Sequence, residues 1–142
     1  MTKSVIVDAC VAIKWFVAEA DSDLAGKLFA SDLRRHAPDF AVIEIANALW
    51  KIHRRGDITS AAATKAIELA PRFFWSLPSS KNFVDEAFQL ATSIQHPVYD
   101  CLYVVISRRM KAPLITSDTK LLAKFAGSPD AANVVLLRDW KA

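Results

Sequence analysis

Four acidic residues carry the chemical signal in this chain: Asp8, Glu44, Asp100 and Asp118, each beside a strongly apolar segment. Asp8 closes Val5-Ile6-Val7, Glu44 interrupts Phe40-Ala41-Val42-Ile43 and Ile45-Ala46, Asp100 precedes Cys101-Leu102-Tyr103-Val104-Val105-Ile106, and Asp118 follows Leu114-Ile115-Thr116-Ser117. Carboxylates are seldom buried, because taking the charge out of water is costly without a compensating partner. Four of them anchored near a core point to one shared site whose natural occupant is a divalent cation. Mg²⁺ and Mn²⁺ take hard oxygen donors and keep several waters, so a few carboxylates plus substrate phosphates suffice. Such a site supports metal-assisted cleavage of phosphate esters. Each acid also has a local use: Asp8 and Asp118 can cap helices, Asp100 can favour a helix N-terminus, and Glu44 can be a solvated helix residue.

The elements that must position these acids follow from hydrophobic periodicity. Residues 4–8 read as a buried strand and Ala9 to Val17 as a helix apolar nearly all round. Asp21-Ser22 caps a second helix with a Leu24, Ala25, Leu28, Phe29 stripe. His36-Ala37-Pro38 reads as an extended link. A long helix from Asp39 to Arg55 divides into one face with Val42, Ile45, Ala46, Leu49 and Ile52, and an opposite face with Glu44, Asn47, Ala48, Lys51 and Arg55. Gly56-Asp57 turns the chain into a Thr59-capped helix over 61–72, which makes an antiparallel hairpin. Phe73 to Leu77 reads as a strand ended by Pro78. Ser79 or Ser80 caps a fifth helix, Tyr99 to Met110 is a buried helix, and Leu114–Thr116, Asp118–Phe125 and Val134–Leu137 read as strand, helix and strand. Short apolar strands alternating with helices predict an α/β fold, a three-layer α/β/α sandwich around a mainly parallel sheet. Ligands of such sheets bind beyond the strands' carboxyl ends near a topological switch point, and Asp8 and Asp118 both fall just past predicted strands.

Bulk properties restrict the remainder. A chain of 142 residues, 53% apolar with three glycines and six prolines, forms one domain with a core rather than a disordered segment. No stretch reaches the roughly 18–20 uncharged residues of a membrane span, and Met1-Thr2-Lys3-Ser4 shows no signal-peptide pattern, so a cytoplasmic location is expected. Cys10 and Cys101 read as small buried hydrophobes, and with His36, His53 and His96 they lack the spacing of a zinc site. The net charge of +3 is compatible with an anionic partner without identifying one. Basic clusters at Arg34-Arg35-His36, Lys51 to Arg55 and Arg108-Arg109-Lys111 suit helix ends, and Lys14 is a candidate phosphate contact.

Three segments of the chain resemble the acidic motifs of PIN-domain proteins of the VapC toxin type. These are Val5-Ile6-Val7-Asp8-Ala9-Cys10 through Phe16, Pro38 through Glu44 to Trp50, and Pro97-Val98-Tyr99-Asp100-Cys101-Leu102-Tyr103; Leu114-Ile115-Thr116-Ser117-Asp118 resembles a fourth. The resemblance implies a single PIN domain over residues 1–142 and a Mg²⁺-dependent endoribonuclease, with Mn²⁺ able to substitute. It implies that Asp8, Glu44, Asp100 and Asp118 bind the metal, that Thr116 offers a hydroxyl near its waters and that Asn47 orients them. A homodimer, an RNA substrate and a VapB-type antitoxin docking on the hairpin of about residues 39–72 are implied as well. Cys10 stands where members commonly have Ser or Thr, and Leu121 where some carry a further acid, which favours single-metal occupancy. The competing readings are a non-catalytic PIN-like module that binds protein, and a Mg²⁺-dependent phosphatase. A haloacid-dehalogenase-type site wants a second Asp at position 10, and the Cys there argues against it.

Overall fold

A computed structural model describes residues 2–142. Four short strands, β1 (Ser4–Val7), β2 (Arg34–His36), β3 (Leu114–Thr116) and β4 (Val134–Leu136), form one sheet in the order β2-β1-β3-β4. All three pairings are parallel, with Ile6 opposite both His36 and Leu114, and Thr116 opposite Leu136. Parallel strands require crossovers, and helices supply them: α1 (Ala9–Ala12), α2 (Ser22–Ala30), α3 (Phe40–Arg54), α4 (Ser60–Leu69), α5 (Val84–Ile94), α6 (Val98–Met110) and α7 (Thr119–Phe125). The result is the expected three-layer α/β/α sandwich. Because the sheet is covered on both faces, β1 and β3 are apolar without alternation, with Val5, Ile6, Val7, Leu114 and Ile115 all buried. The valine-rich 99–110 segment is helical as expected, and seven consecutive residues of α6, Cys101 to Ser107, are buried at its centre.

Chain order reverses between β1 and β3, so the crevice beyond their carboxyl ends is the switch point of the sheet. Asp8 leaves β1 there, with its N–H donated to Ile115 O at 3.0 Å. Asp118 leaves β3 at the same edge and caps α7.

Several local expectations change. The helix predicted over 9–17 is one α-turn followed by a 3₁₀ turn at Ile13–Trp15. Trp15 closes it by donating its indole N–H to Ala25 O at 2.9 Å. The link predicted at His36 is instead the end of β2. Its charged sequence hides a strand because β2 lies at the sheet edge, where Arg34 covers the Trp75 ring and Arg35 the Phe29 ring. The strand predicted over 73–77 contracts to a single bridge between Ser76 and His36, preceded by a 3₁₀ turn at Ala70–Phe73. Neither Ser79 nor Ser80 caps α5; they belong to a separate 3₁₀ turn, and Ser80 binds Asp39 instead. The α3 face buried on the core is Ala41, Ile45, Leu49 and Ile52. Phe73 and Phe74 pack with Trp15 in the fold's aromatic cluster.

Ile6 is fully buried on the central strand, so Ile6→Ala opens a cavity on the sheet face to which its side chain points. We expect a loss of about 2–5 kcal/mol in urea unfolding. A loss below about 1 kcal/mol contradicts this description of the core.

Candidate functional site

The four carboxylates predicted from sequence line one cleft of about 320 Å³ at the switch point, together with Ala9, Cys10, Asn47, Ala48 and Lys51. Asp8 arrives from β1, Glu44 with Asn47, Ala48 and Lys51 from α3, Asp100 from the first turn of α6, and Asp118 from the β3–α7 turn. On α3 the cleft residues stand roughly 100° around the axis from the buried stripe, adjacent to it rather than opposite. One helix therefore serves core and cleft with neighbouring faces.

Each acid is held by protein donors on one side. Asp8 caps α1 by accepting Cys10 N–H at 3.3 Å, and its Oδ2 accepts the Thr116 hydroxyl at 2.8 Å. Asp118 Oδ1 accepts the N–H groups of Lys120 and Leu121 at 2.9 and 3.2 Å. Tyr103 donates its hydroxyl to Glu44 Oε1 at 2.6 Å and accepts Ala9 N–H at 3.3 Å. His96 Nε2 lies 2.6 Å from Asp100 Oδ2. Among the described residues, Asp100 Oδ1, Asp118 Oδ2 and Glu44 Oε2 have no protein hydrogen-bond donor. Capping and site roles thus coexist: a carboxylate has two oxygens, and the backbone occupies only one at Asp118.

The remaining candidates fall differently. Asn47 lines the cleft, as expected. Thr116 is fully buried, and its hydroxyl is committed, donating to Asp8 and accepting Asp118 N–H at 3.1 Å. It aligns two acids from behind instead of facing the cleft. Lys14 does not reach the site: its Nζ is bound to Glu19 Oε1 at 3.1 Å and Ala20 O at 2.8 Å. Cys10 accepts Ser117 N–H at 3.4 Å and lies 3.5 Å from Thr116 Oγ1, so the thiol ties α1 to the β3–α7 turn. Both cysteines are free. Leu121 is buried in the core and adds no acid.

Sequence reasoning missed Tyr103, His96 and Lys51 as site residues. A tyrosine in a wholly buried helix must find a partner for its hydroxyl, which was a usable signal. Its partner lies 59 residues away, which was not. His96 stands four residues before Asp100, in the short link ahead of α6, and Lys51 shares the Glu44 stripe.

The electrostatics follow from crowding and burial. Desolvation, with a further push from Asp100, raises the Asp8 carboxyl to about 6 against the Thr116 hydrogen bond. Desolvation raises Glu44 to about 7, opposed by the Tyr103 hydrogen bond and reinforced by the charges of Asp8 and Asp100. Burial beside Asp8 and Glu44 pushes the Tyr103 phenol well up, so its proton stays on the oxygen as a donor. Burial, then the Asp8 charge, raises the Cys10 thiol and keeps it neutral.

Among the described residues, no three His, Cys, Asp or Glu side chains converge into a ready-made chelate. The donor set nonetheless suits a hard, hydrated divalent cation: carboxylate oxygens with free lone pairs around a cleft whose acids repel one another. A cation that keeps several waters needs no closed cage of side chains.

A family model described as PIN domain matches residues 5–127. Ribonuclease VapC3 of Pyrobaculum aerophilum is 33% identical over 122 residues, covering 84% of this chain and 93% of the relative. Exonuclease VapC9 of the same organism is 30% identical over 95 residues, covering 67% and 70%. Among solved structures, a toxin–antitoxin complex from Klebsiella pneumoniae superposes with a TM-score of 0.65 at 17% identity, covering 94% of this chain and 97% of that one.

An acid whose pKa is higher folded than unfolded stabilises the fold where it is protonated and loses that contribution as pH rises. For Asp8 the loss runs from its ordinary 3.8 through about 6, and for Glu44 from 4.5 through about 7. His36, whose pKa is lowered by burial and then by Arg34, acts with the opposite sign, so the wild-type profile alone is a sum. In chelator, the melting temperature of Asp8→Asn relative to wild type should therefore climb from about pH 4 to about pH 7 and then level. A difference independent of pH would contradict the buried, raised Asp8.

Proposed function

Because the chain belongs to the PIN-domain family, we propose that it is a divalent-metal-dependent ribonuclease, the toxin of a VapBC-type pair held inactive by an antitoxin. The observation that carries this reading is the convergence of Asp8, Glu44, Asp100 and Asp118 on one cleft from four separate elements. A relative named ribonuclease, aligned over most of both chains, supports RNA as the substrate.

In this reading Asp8, Glu44, Asp100 and Asp118 hold Mg²⁺, or Mn²⁺ in its place. When bound there, such a cation would supply Lewis acidity and lower the pKa of a bound water. The protein's own part is to bind and orient. Lys51, on the cleft wall, contacts a phosphate oxygen of the substrate, and Asn47 supplies an amide to orient water or substrate. Tyr103 fixes Glu44 through its retained proton, His96 fixes Asp100, and Thr116 fixes Asp8. Water attack on phosphorus breaks the phosphodiester and leaves one phosphate monoester end and one hydroxyl end. The endonucleolytic mode is part of the proposal.

The α3–α4 hairpin, expected over about 39–72, serves as the arm for the antitoxin, with Ile43 and Ile67 exposed on it. The protein acts as a homodimer in the cytoplasm, and among the described residues no helix is long and apolar enough to cross a membrane. Light scattering that finds only monomer at working concentration counts against the dimer.

Incubation of total RNA with the purified protein in Mg²⁺, Mn²⁺ or EDTA tests the activity, with the product ends mapped. We expect internal cuts with either metal, none in EDTA, and a loss of at least about 100-fold in Asp8→Asn and Asp100→Asn with unchanged circular dichroism. Undiminished cleavage by pure Asp8→Asn protein would refute the assignment, and trimming from the ends alone would make the enzyme an exonuclease.

A further inference from the structure

The C-terminal half of α3 carries a surface that continues outward from the acid cleft. Lys51 lines the cleft with Glu44 and also a second, shallower depression with Trp50, Arg54 and Arg55. The Trp50 indole is 51% exposed, unusual for the largest apolar side chain on a helix that buries its own core face well. The Arg54 guanidinium carbon lies 5.0 Å from the Trp50 ring centroid, so cation and ring form one unit. Neighbouring polar groups are already occupied. Arg55 pairs with Asp57 at 3.2 Å, and His53 Nδ1 donates to Ile58 O at 2.9 Å across the α3–α4 turn. Among the described residues, Lys51 and Arg54 take part in no ion pair. The helix dipole favours cations in a last turn, but it explains neither the half-exposed indole nor a lysine shared with the acid cleft.

We propose that Trp50, Lys51 and Arg54 form a docking track for single-stranded RNA that leads out of the acid cleft, a proposal resting on the ribonuclease reading. Along the helix axis Lys51 lies about 10 Å from Glu44, and Arg54 about 15 Å, at 1.5 Å per residue. That spacing suits successive contacts to a strand whose scissile phosphate sits among the acids. Lys51 takes the first phosphate beyond the cleft, and Arg54 takes the next. A base stacks on the Trp50 face that Arg54 leaves open, a contact every base can make. The four acids repel a polyanion, so binding energy has to come from outside the cleft, and unpaired cations at its rim provide it.

Binding is measured separately from cleavage, by fluorescence anisotropy of a labelled mixed-sequence single-stranded RNA with Asp8→Asn protein in EDTA, across a salt series. In this background we expect Trp50→Ala to weaken binding roughly tenfold with an unchanged salt slope, and Trp50→Phe to restore most of it. Lys51→Gln and Arg54→Gln should each lower the slope of log affinity against log salt by about 0.7. Variants that bind like their parent, or a parent that binds no RNA at low salt, would overturn the track. So would Trp50→Ala converting a dimer to a monomer in light scattering, since a second copy would then cover this face. RNA binding that depends on Trp50 and Arg54, without cleavage by the wild type in Mg²⁺ or Mn²⁺, would sink the ribonuclease reading and leave the track standing.

Discussion

Burial of the Asp8 carboxylate at the switch point is the constraint around which this domain is arranged. Asp8 leaves the central strand at the one place where chain order reverses, so its side chain falls between two diverging halves of the sheet. An ionised group there needs compensation, because desolvation alone is worth several kcal/mol. Thr116 and the Cys10 N–H supply part of it, and burial still raises the group to about 6. The same Thr116 hydroxyl accepts Asp118 N–H, which couples the ends of β1 and β3 through one oxygen atom. Tyr103 performs the matching task across the cleft, joining Glu44 on α3 to the first residue of α1. Two buried hydroxyls therefore connect Asp8, Asp118 and Glu44.

Such an arrangement stores electrostatic repulsion in the folded state instead of relieving it. The Asp8 charge raises the affinity of Glu44 for protons, and Asp100 raises both. A divalent cation would relieve the same repulsion, so the site would be more stable loaded than bare and metal binding would be linked to proton release. The donors behind the acids would keep the geometry through such an exchange, since Tyr103 and Thr116 remain neutral donors. Cys10 fits this frame as a neutral, packed thiol at the back of the cleft.

Much of the fold and the acid cluster was legible in the sequence, because both depend on local patterns. Unbroken apolar runs marked β1, β3 and α6, and the acids at their ends marked the cleft. What escaped was tertiary. β2 reads as a polar link because its arginines are accommodated by Trp75 and Phe29, which come from distant segments. Lys14 resembled a phosphate contact until the loop after α1 placed Glu19 and Ala20 O within its reach. Thr116 was recognised, but its direction was not: a hydroxyl in a strand-end motif can face the cleft or the acid beside it. Tyr103 and His96 lie close to Asp100 in sequence, yet only folding shows that Tyr103 serves Glu44 instead.

The claim that these four carboxylates are one cation site is tested most directly by calorimetric titration of Mn²⁺ into metal-free protein, near pH 6 and in buffers of different ionisation enthalpy. The account predicts saturable binding that releases protons, because Asp8 and Glu44 are partly protonated there before the metal arrives. Binding should weaken by at least about tenfold in Asp8→Asn. No saturable binding by the wild type, or affinity unchanged by Asp8→Asn, would contradict it.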